Sequence, residues 1–352
     1  MIASGNHMEG NEKRMSSGIF GLSREDLLRR ASNTNQLYGV KQVTIEDGRA
    51  RGMSAYQVNT GGGLSVDVLP DNGFDLGSLS YRGVNISYMS KNGYVAAPFS
   101  GHGALFPSSY AGGMMYTCGL LNVGPGNDDV GVWHPTHGRI HSIGAESRAA
   151  RVDEENGVIR LSGILRESAL FQNNLQLSRT ITLPIGGSSL AIEDTLINLT
   201  PETTEYMILY HVNFGYPFLS ESLQLALPEG TKTIPRTEHA ASGMDEMCSF
   251  PAPIDGYEEQ VYLHTLPAEN GVCTLRAENR ALGMGVKLSY SQAALPYLAQ
   301  WKSMGSGDYA LGLEPTNTLI AGRAEERKER GLPALKGFGE IKLKVILELY
   351  DL

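Results

Sequence analysis

The chain has 352 residues, 41% hydrophobic and 8% aromatic, enough to build a large packed core. Its formal net charge is −9 and its basic residues are dispersed, which disfavours a nucleic-acid partner or an anionic membrane surface. Three widely spaced cysteines, Cys118, Cys248 and Cys273, form neither a disulfide framework nor a metal knuckle, and they read as reduced thiols of a cytoplasmic protein. Residues 1–17 are polar, lack the apolar centre of a signal peptide, and read as a disordered tail or expression remnant. Residues 18–352 read as one domain, with no apolar run as long as the roughly 18–20 residues of a membrane helix.

In chain order, a short helix comes first: Ser23 is a good N-cap, Asp26 follows three residues later, and LLRRA completes the turn. The chain then turns β. Alternating runs are expected over Val40–Ile45, Leu64–Val68, Phe74–Tyr81, Val158–Leu165, Leu175–Leu183, Leu190–Leu199, Tyr206–Phe214, Met284–Tyr290, Tyr297–Trp301, Tyr309–Leu313 and Ile341–Tyr350. Glycine, proline, Asn and Asp punctuate them. Many strands without regular helix alternation predict an all-β fold, an antiparallel sandwich or barrel. The charges of Arg323–Arg330 predict an exposed helix stopped by Gly331 and Pro333. The stretch from Gly93 to Asp129 is glycine-rich and weakly periodic, and a segment that long in a compact domain usually carries function.

Three constellations carry chemistry. On the strand Tyr206–Pro217, His211 and Asn213 share a face with Met207 and Leu209, while Tyr206, Ile208, Tyr210, Val212 and Phe214 suit a core. A histidine fixed on a sheet is a ready proton donor or acceptor; the plain alternative is a histidine satisfied by a backbone group. Next, His134, His137, Arg139 and His141 crowd eight residues. They suit a loop presenting polar groups to a ligand, with Arg139 forking onto hydroxyls or a carboxylate, although a solvated basic turn and a metal site are alternatives. Pro135 argues against a helix that would align the metal ligands, so no metal is assigned. Last, in YALGLEPTN (309–317), Ala310, Gly312 and Glu314 share a face, small residues leave space beside the carboxylate, and Pro315 is expected to end the strand. Glu314 is thus a candidate general base, or simply an exposed strand-end acid. Trp301 offers an aromatic face for a sugar ring, or is core. The run Gly112–Gly124 lacks the register of a phosphate loop and reads as strand and turn lining a site.

Together HGR (137–139), YHVNFGYP (210–217) and LGLEPT (311–316), in this order, resemble the aldose 1-epimerase (galactose mutarotase-like) superfamily. With GGMMYTCGLLNVG (112–124) they look closest to its uncharacterised bacterial DUF4432-type branch. The resemblance runs from about Asp71 to the C-terminus. It implies a large antiparallel β-supersandwich with a few short helices, binding a small sugar or sugar derivative on a concave sheet face. It implies His211 as general acid toward the ring oxygen, Glu314 as base on the anomeric hydroxyl and His137 as an assisting group. Arg139, Asn213, Asp245 and Trp301 are the implied substrate-binding residues. The implied activity interconverts sugar anomers and requires neither cofactor nor metal. The alternatives are a non-catalytic carbohydrate-binding protein on the same fold and a metal-dependent sugar isomerase or lyase using the His134–His141 cluster.

Overall fold

The computed structural model describes residues 19–96 and 106–352. The expected tail over 1–17 and part of the Gly93–Asp129 stretch, 97–105, lie outside the described residues. Helix α1 (Arg24–Leu28) forms where the sequence places it, with the Ser23 side chain accepting a hydrogen bond from the Asp26 amide. Strands β1 (Gly39–Thr44), β2 (Ser54–Asn59), β3 (Leu64–Leu69), β4 (Asp75–Tyr81) and β5 (Val84–Asn85) follow, then α2 (Phe106–Ser109) and β6 (Met115–Leu120). A small hairpin, β7 (Asn127–Asp129) and β8 (Val132–His134), leads to β9 (Glu146–Asp153), β10 (Val158–Ser168), β11 (Asn174–Pro184) and β12 (Ser189–Asn198). Next come β13 (Thr204–Glu205), β14 (Met207–Phe214), β15 (Leu223–Ala226), β16 (Lys232–Pro235), α3 (Glu238–Ser242) and β17 (Gln260–Thr265). The chain closes with β18 (Val272–Asn279), β19 (Met284–Ser291), β20 (Tyr297–Gly305), β21 (Asp308–Thr316), α4 (Arg323–Arg330), β22 (Ala334–Leu335) and β23 (Glu340–Asp351).

Two large sheets result, as expected. One has 11 strands ordered β1-β2-β3-β4-β6-β14-β21-β20-β17-β16, with β5 on β4; the other has 8, ordered β15-β18-β19-β23-β12-β11-β10-β9. Strands β10, β11 and β12 alternate buried and part-buried positions, the mark of a sheet with one face on a core. Leu161, Leu177, Ile192, Leu288 and Leu343 of the smaller sheet join Leu79, Met115, Ile208, Val212 and Leu311 of the larger in one apolar core. Strand β14 differs, being buried at all eight positions. Its Ile208, Tyr210, Val212 and Phe214 enter the shared core, and Met207 and Leu209 join a separate apolar cluster with Tyr116, Cys118 and Val261. The period-two reading of this strand therefore holds.

A buried ion network braces β14 from the core side. Arg179 bridges Asp75 and Asp194, each at 2.7 Å, and the Tyr210 hydroxyl donates to Asp194 at 2.7 Å. The Arg179 guanidinium also lies 5.7 Å from the Tyr210 ring centre. Tyr210 immediately precedes His211, so the network fixes the strand that presents it.

Two local expectations are corrected. Pro315 does not end its strand: β21 runs to Thr316, with Pro315 opposite Leu298 and Thr316 opposite Tyr297. One missing N–H near a strand end removes a single ladder bond and leaves the neighbouring pairs intact. Helix α4 spans the expected residues but is not a freely exposed charged helix. Arg323 and Glu326 are buried, and Arg323 and Arg327 clamp Asp129 and Glu205 at 2.6–3.0 Å. Lys328 and Arg330 pair within the helix, but the partners of Arg323 and Arg327 lie on β7 and β13, which docks one face of the helix.

Candidate active site

The outer face of the larger sheet carries a cavity of about 620 Å³ over β14, β21, β20 and β17. Val212 pairs with Leu313 and Leu209 with Thr316, a register that sets His211 across from Glu314 on the adjacent strand. Their side chains meet there, His211 Nε2 lying 3.1 Å from Glu314 Oε1, and both are almost wholly buried. The angle is not that of a hydrogen bond, so Glu314 Oε1 is a buried acceptor without a donor. Gly312, one ladder step away opposite Trp301, is required by this geometry. A Cβ at Gly312 would collide with Glu314 Oε1 and would meet His211 Cε1 at 3.0 Å and Trp301 Cβ at 3.1 Å.

Asn213 is fully buried and does not line the cavity. Its amide donates to the carbonyls of Gly113 and His211, and its Oδ1 accepts from the Tyr110 hydroxyl at 2.9 Å. That hydroxyl stands 3.5 Å from His211 Nδ1. Asn213 is thus a support for Tyr110 and the His211 backbone rather than the expected substrate contact. Trp301 does line the cavity, its ring centre 5.5 Å from that of His211, and its Nε1 donates to Glu259 at 2.7 Å.

His137 enters from a turn pinned on β6. Gly119 N donates to the His137 carbonyl, and Arg139 N donates to the Gly119 carbonyl at 2.8 Å. His137 and Gly138 both have positive φ, 56° and 74°, and a Cβ at Gly138 would strike the Gly119 carbonyl, so the second position requires glycine. The Gly124 amide donates to His137 Nδ1, which leaves the ring proton of neutral His137 on Nε2. The His137 and His211 ring centres are 6.3 Å apart.

The same left-handed turn explains a correction. It reverses the chain between His137 and Arg139, so Arg139 lines a different cavity and not this one. Asp245 is likewise absent from the lining; it is exposed on a short 3-10 helix, Met244–Glu246. His134, His137 and His141 part company: His134 joins Arg139 at the other cavity, and His141 is buried against the Tyr116 ring, 4.7 Å between centres. Among the described residues no group of three or more His, Cys, Asp or Glu has the geometry of a metal site. The dispersal of the three histidines removes the geometric basis of the metal-dependent alternative.

Several lining groups are not visible as sequence motifs. Tyr88 and Tyr110 stand beside His211 and Trp301, Lys91 pairs with Asp308 at 2.8 Å, and Arg236 lines the cavity with no ion-pair partner among the described residues. Arg236 sits directly after β16, held by its amide on the Val261 carbonyl. Tyr110 falls within the glycine-rich stretch flagged above; nothing in the sequence marks Arg236.

Burial governs the protonation of this site. It pulls His211 down to about 3, helped by the neighbouring His137, and pulls His137 down to about 4, helped by the Arg236 charge. Burial also lifts Glu314 well above the usual carboxylate range; Glu259 adds to that rise and Arg236 opposes it. At neutral pH both histidines are therefore neutral and Glu314 is held toward its protonated form. The two groups stand 3.1 Å apart, with burial drawing the imidazole toward its neutral form and the carboxyl toward its protonated one.

The sequence profile of a family described as a domain of unknown function, DUF4432, matches residues 50–349. No curated protein matches the chain. Among solved structures, a Klebsiella pneumoniae protein named as a candidate aldose 1-epimerase superposes with a TM-score of 0.84 at 22% identity, covering 90% of this chain and 86% of its own. A galactose mutarotase-like protein from Clostridium acetobutylicum follows with a TM-score of 0.65 at 15% identity, covering 90% and 100%. A galactose 1-epimerase from Lactobacillus acidophilus gives 0.60 at 13% identity, covering 89% and 99%. At these identities the likeness establishes a shared mutarotase-like fold.

Proposed function

The chain belongs to the DUF4432 family, and from the geometry of its site we propose that it is an aldose 1-epimerase-like isomerase, interconverting the anomers of a sugar or sugar derivative. The observation that carries this reading is the buried His211–Glu314 pair at the floor of a cavity lined by Trp301 and Arg236. Opening a cyclic hemiacetal needs one proton delivered to the ring oxygen and one removed from the anomeric hydroxyl, and two groups side by side supply both. In the form that opens the ring, His211 carries the proton and Glu314 is ionised. His211 protonates the ring oxygen as Glu314 takes the hydroxyl proton, the C1–O5 bond breaks, and an open-chain aldehyde results. The pair is then neutral. Rotation about C1–C2 presents the other carbonyl face, His211 takes the proton back from the O5 hydroxyl, and Glu314 returns its proton to the carbonyl oxygen.

The environment favours the neutral pair, and opening converts a buried ion pair into it. The reactive ion pair is therefore a minor form reached from the neutral pair, and opening returns the pair to its favoured state. In this scheme His137 presents its Nε2 proton to ligand oxygens, Trp301 covers one face of the ring, and Arg236 takes the role expected of Arg139 in holding ligand oxygens.

The rise of Glu314 on burial also favours a second reading, a non-catalytic sugar-binding protein in which the carboxyl only hydrogen-bonds a ligand. Exchange NMR of anomeric protons across aldoses, sugar phosphates and uronic acids separates the two. Accelerated anomer exchange with one sugar supports the isomerase. Ligand line-broadening without acceleration supports the binder.

A further inference from the structure

A second cavity, about 790 Å³, shares no lining residue with the first. It lies where the β7–β8 hairpin, the β10–β11 hairpin and α4 come together, and most of its charges are already matched. Arg323 and Arg327 are clamped to Asp129 and Glu205, and Arg166 to Glu146. Glu202, exposed in the lining, has no ion pair among the described residues, and three further groups lack full partners. Arg139 makes no ion pair or side-chain hydrogen bond among the described residues, although His134 and Glu167 both feel its charge. Glu167 is 5% exposed; its Oε2 accepts from the Leu120 amide at 2.8 Å, and its Oε1 has no partner. His134 is also 5% exposed, and its Nδ1 has no partner.

Leaving buried polar atoms unpaired is costly, so folds seldom keep two beside an unmatched arginine without use for them. A guanidinium with a free fork matches a carboxylate or phosphate in two parallel hydrogen bonds. The two neighbours are of another kind. Burial raises Glu167 to about 7 against the opposing pull of Arg139 and Arg323, and lowers His134. Near neutral pH Glu167 is poised between its carboxyl and carboxylate forms and His134 is an uncharged imidazole, and both can engage hydroxyl groups. Val130 and Phe171 line the same cavity, adding apolar surface for a carbon skeleton.

We propose that this second cavity binds a small hydroxylated oxyanion, a carboxylate or phosphate, with Arg139 gripping the oxyanion and Glu167 and His134 engaging its hydroxyls. The proposal does not depend on the chemistry at His211 and Glu314. It gives a function to Arg139, which the left-handed turn directs away from the first site.

Isothermal titration of the full chain with gluconate, glucose 6-phosphate and inorganic phosphate tests it. The expected result is saturable binding of gluconate or glucose 6-phosphate that persists in His211→Asn and weakens at least tenfold in Arg139→Gln. Gluconate alone selects the carboxylate, and glucose 6-phosphate alone the phosphate. Ala169→Tyr, at an exposed lining position, blocks the cavity without removing a charge and must also abolish binding, which decides the matter if Arg139→Gln fails to fold. Absence of binding by all three probes, binding unchanged in both Arg139→Gln and Ala169→Tyr, or binding lost in His211→Asn would each overturn the proposal.

Discussion

His211 and Glu314 face each other across adjacent antiparallel strands, Nε2 to Oε1 at 3.1 Å, where burial draws the histidine down and lifts the carboxyl. Two ionisable groups in contact titrate as a unit, and their exchange of protons with a ligand is worth more than either alone. Glu314→Gln keeps the shape of the site and removes the proton acceptor. Anomer exchange is expected to fall by roughly 10²–10⁴-fold, with sugar binding retained. His211→Asn is expected to lose a similar factor, and the double variant little more than the worse single one. A double variant whose losses multiply would mean the two residues do not act together.

The pH profile of kcat/KM follows from the same burial. Exposed histidine would give an acid limb near 6.5, but His211 is drawn to about 3 and His137 to about 4. The one-proton state of the pair then spans a wide range, bounded above by the raised Glu314. A bell with a broad top is expected, its acid limb well below 6.5 and its alkaline limb well above the usual carboxylate range. Initial rates from pH 4 to 10 measure this. An acid limb at 6.5 would place the titrating histidine in solvent.

Stability has a linked pH dependence. His211 and His137 have folded values below the unfolded one, so the stability they contribute is present above about 6.5 and is lost as pH falls toward their folded values. Glu314 runs oppositely: its folded value is raised, so its contribution is present below the unfolded carboxylate value and is lost as pH rises through the folded one. Glu314→Gln should remove the alkaline loss, leaving a variant that is inactive yet melts a few degrees higher than the parent at pH 9, at roughly 2–4 °C per kcal/mol. Melting curves at pH 5, 7 and 9 decide it; a lower Tm at pH 9 would mean that Glu314 is ionised and compensated.

Much of this site is legible in the sequence because strands have a period of two. The alternation Tyr210–His211–Val212–Asn213 separates core from site, and Ala310–Gly312–Glu314 announces space beside a carboxylate. The period says which face a residue takes, not how deep it lies, and so it did not separate Trp301, which touches the cavity, from Asn213, which stands behind it. Arg139 leaves the site for a local reason that period two does not express: two left-handed residues turn the chain away from His137, and one of them, His137 itself, is not a glycine. Arg236 and Tyr110 reach the site only through tertiary pairing, Arg236 on β17 and Tyr110 on Asn213, which no nearby motif encodes.

Gly312 makes the site possible by having no side chain. In Gly312→Ala the new methyl must displace the Glu314 carboxylate, the His211 ring or the Trp301 Cβ, and the first moves most easily. Rotation of Glu314 away from His211 breaks the pair while leaving the β20–β21 ladder in register. The expected cost is on the order of 1–3 kcal/mol in stability and about 10²-fold in exchange rate. Chemical denaturation with exchange NMR tests both; unchanged exchange would show that the contact between the two residues is dispensable.

Arg179 is fully buried with Asp194 and Asp75, and its charge offsets two carboxylates placed between the sheets. Arg179→Met fills most of the volume but leaves both acids without their cation, together with a Tyr210 hydroxyl bound to one of them. Removing one partner of a buried pair costs about 3–5 kcal/mol, far more than the pair adds over a well-packed apolar substitute. Asp75 already lies at about 6, raised by burial against the opposing charge of Arg179, so loss of that charge pushes it higher. The variant is expected to unfold at lower urea and to recover part of its stability on acidification, as the stranded carboxyls take up protons. Because Tyr210 adjoins His211, exchange activity should fall even where the variant remains folded. A folded variant with unaltered kcat would show that the core network does not position His211.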